Sequence, residues 1–191
     1  MRLFVGVEID ERVRAAAAEA AEDLRSRLKR SRADVRARWV EPENLHVTVW
    51  FIGEVKDDRA EEIQRTLQPR CSTPAFELGL RGLGAFPPSG PPRVFWLGVT
   101  SGAESMARVY GEVRDRLVGI GFEAETRPYS PHVTIARVKD LGPGAARPVR
   151  DALAAVPADC GSCRVATVTL FRSHLSPKGS RYEPLLRVPL S

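Results

Sequence analysis

This chain is poor in cysteine, in long apolar runs and in histidine, and each shortage excludes something. Its 191 residues hold three cysteines, Cys71, Cys160 and Cys163, too few and too odd a number for a disulfide framework. Cys160-Gly161-Ser162-Cys163 is a lone C-x-x-C. A zinc knuckle needs a second pair, which Cys71 alone cannot supply, so the thiols are read as incidental. No apolar run approaches the ~20 residues that a membrane-spanning helix needs. Met1-Arg2-Leu3-Phe4-Val5 leads straight into a strand pattern without the charged and apolar regions of a signal peptide, so a cytoplasmic protein with no membrane partner is expected. A strand-turn-helix Gly-x-Ser-x-Gly elbow is also missing, which removes the Ser-His-Asp hydrolase reading.

The rest of the composition is that of an ordinary globular chain. Apolar residues make up 43% and charged residues 28%. A chain of this length buries roughly 70% of the surface its unfolded form exposes, enough for a real core in one domain or two small lobes. The formal charge of +5 favours phosphate-rich ligands through the summed field without naming one.

Of only three histidines, two stand in the same tetrapeptide written twice: His46-Val47-Thr48-Val49 and His132-Val133-Thr134-Ile135, 86 residues apart. A β-strand turns successive side chains to opposite faces. In each copy the imidazole and the hydroxyl therefore share a face, ~7 Å apart, with the aliphatic pair in the opposite layer. Either copy alone suits a half-buried strand histidine beside an ordinary β-forming threonine. Both at matching places in a repeat suit a paired acid and base across a cleft.

The surrounding pattern repeats as well. Leu3 to Ile9 alternates as a strand, and Asp10 can cap a helix from Glu11 to about Arg30 with Val13, Ala17, Ala20, Leu24 and Leu28 inside. Leu45 to Ile52 is the first motif's strand, with Trp50 on the histidine side and Phe51 on the other. Asp57 or Asp58 caps a helix through Leu67, and Phe76, Leu78 and Leu80 alternate as a third strand. Gly84 to Pro92 is read as a loop because of its four prolines and two glycines. A second round comes next: a strand from Val94 to Val99, a helix announced by Ser101 and Glu104, a short extended piece within Phe122 to Pro128, the second motif's strand from Pro131 to Val138, a helix from Ala146 to Val156, and a strand through Val165, Thr167, Thr169 and Phe171. Residues 182–188 supply one more strand. The expectation is an α+β chain forming a single bilobal catalytic domain over 1–191, with repeat units 3–82 and 94–171. Mainly antiparallel sheets line a central cleft and helices lie outside.

Two imidazoles suit one kind of chemistry especially well. Displacement at a phosphodiester next to a ribose hydroxyl passes through five-coordinate phosphorus, with nucleophile and leaving group on opposite sides. Such geometry asks for a base at one side and an acid at the other, and an imidazole of pKa ~6.5 serves as either. Each is worth ~10²–10⁴ in rate. Thr48 and Thr134 can donate hydrogen bonds to the equatorial oxygens. A zinc site would need three or four ligands, and no nearby Glu or Cys completes a set, so no cofactor or metal is expected.

The paired motifs resemble the two-histidine phosphoesterase superfamily. Within it the chain looks like the RNA 2′,3′-cyclic phosphodiesterases, also called 2′-5′ RNA ligases. The likeness runs through Arg2-Leu3-Phe4-Val5, Leu45 to Val49 with Phe51-Ile52-Gly53-Glu54, Gly84-Ala85-Phe86-Pro87, Val94 to Val99, Pro131 to Arg137, Leu170-Phe171-Arg172-Ser173, Gly179 and Tyr182. That resemblance implies metal-independent hydrolysis of an RNA terminal 2′,3′-cyclic phosphate to a 2′-phosphate, with reversible 2′-5′ joining in view. It implies His46 as proton donor and His132 as proton acceptor, with Thr48 and Thr134 on the phosphate. RNA ends or nucleotides bearing the cyclic phosphate are the expected partners, and the chain is expected to act as a monomer. The alternatives are a phosphodiesterase for a 2′-5′ linkage or a small cyclic nucleotide, and a non-catalytic nucleotide-binding module.

Beyond the motifs, Phe4, Trp50, Phe86 and Tyr129 are candidates to stack on a base. Strict alternation turns Arg137 away from His132, so a phosphate contact there requires a bulge. His174, in an expected loop before Pro177, is read as a surface residue, and the Arg-rich helix from Arg12 to Arg32 as a solvated face.

Overall fold

The computed structural model describes residues 1–176 and 179–191; Pro177, the expected end of a loop, lies outside them. The elements in chain order are β1 (Arg2–Glu8), α1 (Glu11–Arg30), β2 (Val35–Trp39), a 3-10 turn at Pro42–Asn44, β3 (His46–Glu54), α2 (Asp57–Leu67), β4 (Phe76–Phe86), β5 (Val94–Ser101), α3 (Ala103–Val118), β6 (His132–Leu141), α4 (Ala146–Ala155), β7 (Asp159–Val165), β8 (Thr167–Ser176) and β9 (Gly179–Pro189). The α+β class is as expected, and the strand pairings described are antiparallel.

The helices form where apolar spacing and capping agree. In α1 the Asp10 carboxylate accepts from Val13 N at 2.8 Å, and Val13, Ala17, Ala20, Leu24 and Leu28 are buried as their spacing predicts. Such a cap is worth ~1 kcal/mol. The other capping expectations are corrected. Lys56 stands at the start of α2 with Asp57 and Asp58 inside its first turn, and Gly102 at φ 80° starts α3 in place of Ser101. Acidic side chains there face the positive end of the helix dipole, which serves without a cap bond.

The strands run along one sheet in the order β7-β4-β5-β6-β3-β1-β8-β9, with β2 also on β6. Its halves, β7-β4-β5-β6 and β3-β1-β8-β9, meet between β6 and β3. Within this two-part architecture the last strand of each sequence repeat crosses over: β4 pairs with β5 and β7, and β8 pairs with β1. The first helices cross as well, α1 lying on β6, β7 and α4, and α3 on β3 and α2. A short connection explains the first exchange, because β4 and β5 form a hairpin and sequential strands joined closely pair with each other.

Several expected boundaries move. Gly84, Ala85 and Phe86 belong to β4, an inner strand, paired with Trp96, Phe95 and Val94, so the irregular segment starts only at Pro87. No strand forms within Phe122–Pro128, and the run from Val165 to Phe171 splits into the end of β7 and the start of β8. Both β2 and β7 escaped the sequence reading. His174 is not in a loop: it lies in β8, paired with Arg181 of β9, and its Nε2 meets Glu183 Oε2 at 2.7 Å.

Candidate active site

The seam between the halves sets the site. Val47 of β3 and Val133 of β6 are cross-strand partners, and both are fully buried. Cross-strand partners share a face. With the valines in the core, the residues on either side of each, His46 and Thr48, His132 and Thr134, stand on the opposite face. The register sets His46 beside Thr134 and Thr48 beside His132, the two histidines on a diagonal of roughly 7–8 Å between Cα positions. The two copies are brought together on one face of the sheet.

Both imidazoles are oriented in the same way. His46 Nδ1 donates to the Asn44 carbonyl at 2.7 Å, and His132 Nδ1 donates to the Ser130 carbonyl at 2.7 Å. A carbonyl only accepts, so Nδ1 carries the hydrogen and Nε2 is left for the reaction. His46 Nε2 lies 3.0 Å from Thr48 Oγ1. Asn44 is itself anchored, its Nδ2 donating to the Ser180 carbonyl at 2.6 Å.

Aromatic rings pack around each histidine. Phe4, at 4.8 Å between ring centroids, and Tyr182, edge-on at 5.2 Å, hold His46. Phe86 meets His132 edge-on at 5.0 Å and leans on Trp96 at 5.3 Å. Gly6 leaves room for the first ring: a Cβ there would lie 3.2 Å from His46 Cδ2 and 3.1 Å from the Val47 carbonyl oxygen. Burial is the main reason both histidines titrate below their ordinary value, opposed by the Nδ1 hydrogen bonds. The Arg137 guanidinium lowers both further, and the charged form of His132 lowers His46.

A pair of matching β-bulges decides which way the residues after each motif face. Gly6 and Val5 pair with Thr48 and Trp50, leaving Val49 as an extra residue; Trp96 and Phe95 pair with Thr134 and Ala136, leaving Ile135. An extra residue reverses the alternation beyond it. Arg137 therefore returns to the histidine face, supplying the bulge its candidacy required. Phe51 does the same in the other half, opposite Phe4 and 55% exposed, with the Arg2 guanidinium 4.9 Å from its ring centroid.

The same bulge corrects Trp50. It is 5% exposed and turned into the core, stacked on Tyr110 at 5.6 Å, so it does not face the cleft as alternation predicts. Tyr129 stacks on Tyr110 in turn at 4.5 Å, and its hydroxyl donates to the Thr48 carbonyl at 2.9 Å, bracing the first motif's backbone. Phe4 lies on the expected face but is covered by its neighbours. Phe86 touches His132, as a rim aromatic would. The residues missed are Phe51, Tyr182 and Glu8. Glu8 faces His46 across the β1–β3 pairing, and Arg187 and Thr169 hold its carboxyl below the usual range. The alternation that picked out Phe4 also carries Glu8, and would have found it. Among the described residues no three His, Cys, Asp or Glu side chains converge as a metal's ligand set.

A single family model, LigT-like phosphoesterase, matches this chain twice, over residues 13–96 and 97–182. The chain is 35% identical to an RNA 2′,3′-cyclic phosphodiesterase of Archaeoglobus fulgidus, over 97% of its own length and 98% of that protein's. It is also 35% identical to one from Methanothermobacter thermautotrophicus, over 95% of both. Among solved structures, TT0787 of Thermus thermophilus superposes with a TM-score of 0.79 at 29% identity, over 99% of this chain and 97% of that one. Escherichia coli LigT complexed with 3′-AMP superposes with 0.73 at 26% identity, over 100% and 98%.

Proposed function

Because this chain belongs to the LigT-like phosphoesterase family, we propose that it opens the 2′,3′-cyclic phosphate at an RNA 3′ end to a 2′-phosphomonoester, using His46 and His132 as acid and base. The observation that supports this reading best is the Val47–Val133 register, which turns both histidine-threonine pairs into one cleft with each Nε2 left unengaged by a backbone carbonyl. It is a hydrolase of the cyclic phosphodiesterase kind, as its relatives are named.

His132 Nε2 takes a proton from a water whose oxygen attacks phosphorus opposite the 3′ oxygen. His46 Nε2 gives its proton to that oxygen as the P–O3′ bond breaks, leaving a 2′-phosphate and a free 3′ hydroxyl. Exchange with solvent resets both rings. Thr48 and Thr134 hydroxyls and the Arg137 guanidinium stabilise the charge that grows on the equatorial oxygens. An RNA 5′ hydroxyl in the water's place would yield a 2′-5′ junction by the same displacement. Phe51, exposed on the cleft face, offers a flat surface to a base, and base–aromatic stacking is worth ~1–3 kcal/mol.

The test is to incubate the protein in chelator with an oligoribonucleotide ending in a 2′,3′-cyclic phosphate and follow phosphorus by NMR. A 2′-monoester is expected. Unchanged substrate, or a 3′-monoester, would overturn the assignment.

A further inference from the structure

A groove of about 620 Å³ opens between the C-terminal half of α1 and β2. Five cations line it: Arg25 and Lys29 of α1, Arg36 and Arg38 of β2, and Lys139 of β6; no carboxylate does. The placement comes from the elements. Arg25 and Lys29 are four apart and share a helix face, and Arg36 and Arg38 are two apart along β2. Two of the five have exposed partners, Glu22 at 3.5 Å from Arg25 and Asp140 at 2.6 Å from Arg36. Exposed pairs of that kind are worth ~0–1 kcal/mol, so a phosphate can displace them. The other three make no ion pair among the described residues. Trp39 adds an aromatic wall.

Strand β2 stands between the groove and the histidine face: Val35, Ala37 and Trp39 pack toward α1 and the core, while Arg36 and Arg38 alternate to the other side. Arg38 is the cross-strand partner of Arg137, whose charge both histidines feel, and it also borders the groove, so a strand passing around β2 meets guanidinium groups on both sides of it. A mononucleotide occupies only the cleft. In an RNA the cyclic phosphate is the 3′ terminus, so the chain upstream of it must leave the cleft somewhere.

We infer that the groove between α1 and β2 binds the phosphate backbone of the RNA strand upstream of its cyclic 3′ end, making the protein select oligonucleotides over mononucleotides. This rests on the proposed cyclic phosphodiesterase activity. A single-stranded backbone carries regularly spaced anions and releases counterions on meeting such a surface, which the five cations match. Most of the α1 surface remains the solvated face the sequence suggests, with Arg27 paired to Asp23. Arg25 and Lys29 are its exception.

The experiment compares wild type with the triple variant Arg25→Gln, Lys29→Gln, Lys139→Gln, all away from the histidines. For each, kcat/KM is measured on adenosine 2′,3′-cyclic phosphate and on an octaribonucleotide ending in the same group, over a range of salt. Affinity for a labelled octaribonucleotide is read separately by fluorescence anisotropy. The variant is expected to lose about tenfold or more on the oligonucleotide, to stay within about twofold on the mononucleotide, and to show a log–log salt slope shallower by ~2, at ~0.7 per lost contact. Equal effects on both substrates, or none on the oligonucleotide, would overturn the groove while leaving the chemistry standing. Anisotropy that depends on the groove in a protein without turnover would keep the groove and sink the activity. If the triple variant melts early, the single variants Lys29→Gln and Lys139→Gln carry the same comparison at about one third of the slope change.

Discussion

Val47 and Val133 are cross-strand partners at the seam of the sheet, each fully buried, and this one pairing brings two tetrapeptides 86 residues apart onto a single surface. Everything polar in the cleft is positioned relative to it. The valines hold the register through their burial, and a slip of one residue in either strand would carry that strand's histidine into the core.

The two residues after the first motif should separate cleanly by experiment. Trp50→Ala removes a core ring stacked on Tyr110 and is expected to destabilise the fold by ~3–5 kcal/mol. Phe51→Ala should leave the melting temperature nearly unchanged and raise KM for a nucleotide substrate about fivefold or more, the scale of one lost stacking contact. Denaturant melts and steady-state kinetics decide it; a stable Trp50→Ala protein with a raised KM would reverse the two assignments.

Arg137 offers a second test. In the proposed reaction its replacement by Gln removes a charge-assisted hydrogen bond to phosphate, worth ~1.5–3 kcal/mol, so kcat/KM should fall about 10–100-fold. Arg137 also lowers both histidines, so the same variant should titrate them at higher pH, followed by their ring proton resonances. Unchanged kcat/KM would remove Arg137 from the phosphate site.

The pH dependence has a definite sign. Burial holds His46 and His132 below ~6.5, so in the free protein His132 becomes basic and His46 loses its proton at lower pH than ordinary imidazoles. The bell of log kcat/KM against pH should peak on the acid side of ~6.5, and the profile of kcat should lie higher, because a bound phosphate anion favours both imidazolium forms. Stability moves with the same groups. The unfolded chain takes up these protons first, so unfolding free energy falls as pH drops from ~6.5 through the lowered native values, and gains nothing further above ~6.5. A peak on the alkaline side would contradict the burial argument.

Much of the fold and the cleft is legible in the sequence wherever a short-range rule governs. The inner face of α1 comes from a 3.6-residue period, and the shared face of His46 and Thr48 from a period of two. What escapes depends on distant partners. Strand β2 is an exception, since Val35, Ala37 and Trp39 alternate with Arg36 and Arg38 in a period of two that the sequence displays; its place beside β6 is what local spacing does not give. The crossing of β4 and β8 between halves is a choice of neighbour that local spacing cannot express. The bulges at Val49 and Ile135 insert one residue each, and that single step turns Trp50 inward and brings Phe51 and Arg137 to the cleft. A rule of strict alternation fails beyond such a point, though it names the requirement for Arg137 correctly.

In the proposed reaction one imidazole gives a proton to the departing oxygen while the other takes one from water. The most direct measurement uses a cyclic substrate in which sulfur replaces the bridging 3′ oxygen, since a thiolate departs without a proton. With the natural substrate, His46→Ala and His132→Ala should each lose ~10²–10⁴ in kcat. With the sulfur substrate, His46→Ala should recover to within about tenfold of wild type and His132→Ala should not. Equal impairment of both variants on the sulfur substrate, or recovery of His132→Ala instead, would contradict the account.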